Sequence, residues 1–236
     1  MKSYVTELNP NIIPDKKFLC LNRRMGNEKY KLIERIYDMG LLNDTRFSWV
    51  KNNTNKNLLN KELVNELNID VDNFKPIQLE EDIMYGTDLI MEEYLYTINP
   101  KWYYKSKVNI ISETMLYPNL IHLTEKTWKA IYLGVPFVIY SPSKHYLKTL
   151  RDMGFKTFNS LINEDYDETM GKEKIVQVID SAKELVNIYN TPEVLNICKF
   201  NQELYFNFQY RKKIYYEFFL NKIYDVKNLT TPKTLI

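Results

Sequence analysis

Between Val108 and Ser141 the hydrophobic period changes twice, and no other stretch restricts the fold as much. Val108-Asn109-Ile110-Ile111 is a short β-branched run of the kind a buried strand needs. A loop follows from Ser112 to Leu123. Thr124-Glu125-Lys126 then opens a helix, with Thr124 as N-cap and an acid, Glu125, in the first turn. That helix carries Trp128, Ile131, Tyr132 and Leu133 and stops at Gly134, a residue suited to a left-handed C-cap. Val135 to Tyr140 is a second apolar run, in which Pro136 is tolerated because it stands at the start. Strand, helix, strand over this length is a βαβ unit, whose strands are expected to lie parallel and adjacent.

The chemistry of such a unit lies at the helix start. In open parallel sheets ligands bind beyond the carboxyl ends of the strands, where helix N-termini present free N–H groups. Lys126, in the first turn, is placed to add an ammonium to those amides on a phosphate. Glu125, or Glu113 at the preceding strand end, is placed to accept from ribose hydroxyls. The same residues also read as an acid that complements the helix dipole and a solvated surface lysine.

Leu123-Thr124-Glu125-Lys126-Thr127-Trp128-Lys129-Ala130, followed by Gly134-Val135-Pro136-Phe137-Val138-Ile139, resembles the donor-binding signature of the α1,3-fucosyltransferase family. In that family a strand ending in a carboxylate leads through a loop to a T-E-K helix start, and the helix ends in a Gly-x-x-Pro strand. Here the glycine-to-proline spacing is one residue shorter. The resemblance covers this one unit and fades outside it. It implies a GT-B glycosyltransferase, built from two Rossmann-like domains, of which this chain would be the C-terminal, nucleotide-sugar-binding half. It implies further that Thr124, Glu125 and Lys126 form the donor site, with Glu125 on the ribose and Lys126 on the phosphates. The implied donor is a nucleotide diphosphate sugar, GDP-fucose by inheritance from the family, and the implied acceptor is a glycan or other hydroxyl. The resemblance implies no metal and no separate cofactor.

A second βαβ unit precedes it. Lys17 to Asn22 reads as a strand, Arg23 to Asn27 as the turn, Glu28 to Met39 as a helix with Tyr30, Ile33, Ile36 and Tyr37 on its apolar stripe, and Thr45 to Val50 as the next strand. Arg23 and Arg24 thus fall where an anion site would lie. Enzymes resembling fucosyltransferases use a basic residue after the first donor-domain strand on the phosphates, so both arginines are candidate donor ligands; the alternatives are a carbonyl cap or a place in solvent. Neither a GxGxxG nor a GxxxxGK[ST] pattern occurs.

The whole reads as an α/β chain: a lead-in over 1–16, a Rossmann-like domain with a parallel sheet over 17–190, a helical C-terminal extension over 191–226 and a tail over 227–236. Within it, 51–60 reads as an Asn-rich loop, Lys61 to Asn68 as a short helix and Glu80-Glu81-Asp82 as a solvated acidic run. Trp102, Tyr103 and Tyr104 precede the central strand as core aromatics or a platform for a nucleotide base. Tyr146 to Met153 reads as a helix, Phe155 to Phe158 as a short final strand and Lys172 to Tyr189 as an amphipathic helix. Gly154 to Phe158 with Glu164-Asp165-Tyr166-Asp167 resembles a G-F-x-T-F…E-x-Y-D pattern of viral and bacterial glycosyltransferase-like proteins. Its acids read either as a metal site or as the start of the next helix. Pro192 to Val226 reads as helical, interrupted at Arg211-Lys212-Lys213; it either crosses to a second domain or packs on its own.

Composition excludes some functions. With 32 basic against 30 acidic residues the net charge is +2, which gives no argument for nucleic acid or an anionic membrane. Cys20 and Cys198 read as small core residues, and His122 and His145 lie too far from other ligands to suggest zinc. No apolar run is long enough to span a bilayer, and the N-terminus lacks a signal pattern, so a cytoplasmic protein is expected. An inverting transfer also needs a carboxylate within reach of the acceptor hydroxyl. Nothing in 1–16 matches the family's base, which leaves Glu113 as the candidate catalytic residue. The acceptor half would then come from a partner domain or chain; the competing reading is a non-catalytic Rossmann-like module.

Overall fold

The computed structural model describes residues 12–22, 27–48, 100–113 and 121–214. Its centre is a four-stranded, wholly parallel sheet in the order β2-β1-β3-β4, made of β1 (Lys16–Leu21), β2 (Thr45–Ser48), β3 (Ser106–Ser112) and β4 (Phe137–Tyr140). Phe18 of β1 pairs with Thr45 on one side and Val108 on the other, and Ile110 of β3 pairs with Val138. Strands β1, β3 and β4 bury Phe18, Leu19, Val108, Ile110, Ile111 and Val138 almost completely, as strands covered on both faces do.

Helices cover both faces. α1 (Asn27–Asp38) follows β1, α2 (Pro100–Tyr104) precedes β3, α3 (Glu125–Leu133) follows β3, α4 (Tyr146–Asp152) follows β4, and α5 (Gly171–Ile188), α6 (Pro192–Phe206) and α7 (Phe208–Ile214) complete the chain. From β1 the chain steps outward to β2; from β3 it steps the opposite way to β4. Right-handed crossovers then put α1 and α3 on opposite faces. α1 accordingly packs with α5, which lies on β3 and β4, while α3 packs with α2 and α6. This is a Rossmann-like α/β fold. The gap between the carboxyl ends of β1 and β3 is its topological switch point.

The two βαβ units stand where the sequence puts them. Thr124 is the N-cap of α3, and Gly134 ends it at φ 64°, the left-handed cap a side chain would strain. In α1 the buried stripe is Leu32, Ile33 and Ile36, with Lys29 on the same face and Tyr37 only partly buried. Trp102 and Tyr103 belong to the core.

Two expectations are corrected, and one left open is decided. Phe155 to Phe158 is not a strand. Phe155 and Phe158 are buried, but the carboxamide of Asn201 donates to Lys156 O and accepts from Lys156 N, both at 2.8 Å, taking the pair of bonds a neighbouring strand would supply. The C-terminal helical run breaks at Asn207 and not at Arg211–Lys213, which lie inside α7; Asn207 is extended, and its side-chain oxygen accepts from Tyr210 N at 3.0 Å. Of the two places left open for the C-terminal helical run, α6 takes the second and packs on its own domain. Gln202 Nε2 donates to Tyr132 O at 2.7 Å, and Tyr205 stacks on Trp128 at 6.1 Å. Trp49 and Val50 at the end of the second expected strand, the helix from Lys61, the acids Glu80, Glu81 and Asp82, and residues 215–236 of the extension and tail lie outside the described residues.

Both cysteines are free and buried. No helix among the described residues is long and apolar enough to cross a membrane.

Candidate functional site

β3 ends at Ser112, and the next residue, Glu113, is only 2% exposed. Its carboxylate reaches across to α3. Oε1 accepts from Thr124 N at 3.0 Å and Thr127 Oγ1 at 2.5 Å, and Oε2 accepts from Thr124 Oγ1 at 2.5 Å. A buried charge is tolerable when its lone pairs are filled in this way. The result is a tie between the carboxyl end of a central strand and the first turn of the following helix, which fixes where the free amides of α3 point.

A second tie closes the floor of the crevice. Asn22, the residue after β1, accepts from Ser112 Oγ through Oδ1 and turns Nδ2 toward Cys20 Sγ at 3.3 Å. Asn22 and Ser112 are both fully buried. The ends of β1 and β3 are thus laced together directly beneath the switch point.

Above this floor stand the residues singled out by sequence. Lys126 has a side chain 14% exposed, with Nζ 3.4 Å from Thr124 Oγ1 and 3.8 Å from Glu125 Oε1. Glu125 is more open, at 29%. Thr124 is spent on capping, since its hydroxyl also accepts from Lys126 N. Glu113, Thr124, Glu125 and Lys126 therefore share one helix start; Arg23 and Arg24 lie outside the described residues. With both oxygens of Glu113 engaged and the group buried, the geometry fits a carboxylate that orients the helix start better than one that takes a proton from an acceptor.

Sequence reasoning passes over Lys29. It rises from the first turn of α1, on the other face of the sheet, is 7% exposed, and lies within the field of Lys126, Cys20, Glu113 and Glu125. Burial, and after it Lys126, push its ammonium down to about 8. The available signal was helical phase: Lys29 stands three, four and seven positions before Leu32, Ile33 and Ile36, on the buried face.

The acidic loop after the Phe155–Phe158 segment has a different job. Glu164 accepts from Thr157 Oγ1 at 2.7 Å, Phe158 N at 2.7 Å and Arg151 Nη1 at 3.0 Å. Asp167, 2% exposed, accepts from Leu147 N and Lys148 N and so caps α4. These acids hold the preceding helix; they do not start the next one. Among the described residues no group of three or more His, Cys, Asp or Glu side chains is placed to hold a metal ion. His145 enters α4 at φ 67°, held by its N–H to Asp167 O, and its Nδ1 lies 3.0 Å from Glu168 Oε1. Beside them Lys174, 1% exposed, donates to Ser143 O; burial lowers its pKa to about 8 against the opposing fields of Asp167 and Glu168.

Two buried lysines give the fold an unusual pH dependence. Between pH 8 and the ordinary lysine value of 10.5 the unfolded chain keeps protons that native Lys29 and Lys174 have shed, so stability rises with pH. Burial pushes the Cys20 and Cys198 thiols up from 9.0 to about 11 and about 12, so above pH 9 the unfolded chain loses protons that the native state keeps, which offsets the lysine contribution. Stability measured by urea unfolding should therefore climb from neutral pH, by roughly 1–2 kcal/mol, and level off above about pH 9. Lys174→Met should remove about half of the climb, and an unchanged curve in that variant would refute the assignment.

No family model, curated protein or solved structure matches this chain.

Proposed function

We propose that the crevice at the switch point binds the diphosphate of a nucleotide sugar, and that the chain is the donor-binding half of a glycosyltransferase passing the sugar to an acceptor hydroxyl. The observation that carries the reading is the position of Lys126: first turn of α3, ammonium side chain largely enclosed, at the carboxyl edge beside the gap between β1 and β3. A phosphate there meets a cation and the outward N–H groups of one helix start. In a transfer, those groups neutralise the charge that grows on the leaving diphosphate, which is electrostatic stabilisation and calls for no protein nucleophile. Glu125, the more open acid, is the group for ribose hydroxyls. The preference for a GDP-sugar, GDP-fucose included, comes from the resemblance of Leu123–Ile139 to the fucosyltransferase signature.

The test is calorimetric titration of the protein with GDP and UDP without added metal. One of the two should bind saturably, and Lys126→Ala should weaken it about tenfold or more, the value of a charged hydrogen bond, with little change in unfolding midpoint. Equal affinity in Lys126→Ala would remove the phosphate role.

The engagement of Glu113 favours a second reading, a nucleotide-binding module without catalysis. Binding without turnover of any GDP- or UDP-sugar, even with acceptor hydroxyls supplied, would select it.

A further inference from the structure

The start of α3 is held from two sides. From the end of β3, Glu113 takes the Thr124 N–H and the hydroxyls of Thr124 and Thr127. From α4, the hydroxyl of Tyr146 accepts from His122 N at 3.3 Å. Residues 121–123 form neither helix nor strand, and His122 is exposed, two positions before the N-cap. Exposed irregular backbone ordinarily turns its N–H groups to water. Here one of them goes instead to a tyrosine that is 1% exposed. Tyr146 is itself well fixed. It is the first residue of α4, preceded by His145, whose N–H donates to Asp167 O, and followed by Leu147 and Lys148, whose N–H groups end on the Asp167 carboxylate. A hydroxyl on so rigid a stem sets the point at which the chain enters α3.

We propose that Tyr146 is a positioning residue of the nucleotide site: it touches no phosphate, and through His122 it aims the first turn of α3, Lys126 included, at the diphosphate. The inference rests on the nucleotide-sugar reading above. The Glu113 bonds end on Thr124 and Thr127 and leave the entering chain free to swing about them; the bond from His122 N stops that swing. Aim matters here because a charged N–H···O contact is lost when its partners move apart by about 1 Å. Tyr146 moves no proton and forms no bond to the ligand, so its whole effect passes through the helix start.

The experiment is a double-mutant cycle, read by calorimetry of the intact chain with GDP and with UDP. Tyr146→Phe keeps the buried ring and removes only the hydroxyl. It should weaken the nucleotide that binds about fivefold, the worth of one hydrogen bond. In a Lys126→Ala background the same change should cost less than about twofold, because the first turn then has less to aim. A tyrosine with a purely structural role lowers the unfolding midpoint and leaves affinity alone. Tyr146→Phe binding as the wild type does, or losing the same factor in both backgrounds, overturns the inference and leaves the nucleotide site standing. Amide hydrogen exchange needs neither ligand nor variant for its first reading. His122 N–H should be protected in the wild type, and exchange at the rate of an unstructured peptide would overturn the inference. If neither nucleotide binds, the nucleotide-sugar reading fails by itself, and exchange decides the rest. Faster exchange at Glu125, Lys126 and Thr127 in Tyr146→Phe would keep Tyr146 as the residue that fixes this helix start; unchanged exchange there would overturn that as well.

Discussion

Glu113→Ala is expected to destabilise the fold by about 3–5 kcal/mol, the range for removing one partner from a buried, fully hydrogen-bonded charge. The carboxylate is 2% exposed, and three donors end on it: the backbone N–H and hydroxyl of Thr124 and the hydroxyl of Thr127. Alanine leaves all three facing a void too far from bulk water to rehydrate them well. Lys29 would lose one of the fields that keeps it protonated. Glu113→Gln should cost less, roughly 1–3 kcal/mol, because an amide keeps the volume and one acceptor oxygen but sets its NH2 against a donor. Urea unfolding followed by tryptophan fluorescence measures both. A loss below 1 kcal/mol in the alanine variant would mean that the threonines find other partners and that the tie between strand and helix is not what orients α3. The same substitution separates the two roles open to Glu113: an orienting carboxylate shifts stability and nucleotide affinity together, whereas a general base would shift turnover alone.

What could be read from the sequence was what short-range physics decides. β1, β3 and β4 are covered on both faces, so their residues form nearly unbroken apolar runs, and Thr124 and Gly134 are the residue types that helix ends select. Phe155 to Phe158 shows the limit. Its alternation is that of a strand, but its backbone partner is the side chain of Asn201, 45 positions later, and no local pattern announces a carboxamide standing in for a strand. Lys29 and Lys174 were legible in principle, since both fall on the apolar phase of their helices beside Ile33 and Val178. A lysine in such a place invites the assumption that its stem snorkels outward. Here the neighbouring strand ends and loops enclose the amine, and that depends on how the two βαβ units meet. Glu113 shows the same division: its place at a strand end could be read, but its use on α3 required Thr124 and Thr127 in three dimensions.

Asp167→Ala is expected to cost about 2–4 kcal/mol, and the reason also decides what the acidic loop is for. A cap on an exposed helix end is worth about 1 kcal/mol, because water replaces it. Asp167 is 2% exposed, and of the amides it accepts from, Leu147 N at 3.0 Å and Lys148 N at 2.8 Å, the first is buried and has no water to turn to when the carboxylate is removed. Its charge also faces Arg151 Nη2 at 4.0 Å and supports protonated Lys174, so its loss leaves a buried ammonium with less opposing charge. Asp167→Asn should recover part of the stability by keeping one acceptor oxygen on the helix start. A metal role predicts something else, because an ion that binds only the native state raises Tm in proportion to the logarithm of its concentration. With Glu164 committed to Arg151, Thr157 and Phe158 N, and Asp167 to α4, the loop's two enclosed carboxylates are taken, and the exposed Asp165 and Glu168 do not complete a group of three ligands among the described residues. Thermal unfolding should therefore give one Tm in chelator and in millimolar magnesium, calcium or manganese, for the wild type and for Asp167→Asn alike. A Tm that rose with one of these ions, and ceased to rise when Asp167 was replaced, would make the loop a metal site and its grip on α4 incidental.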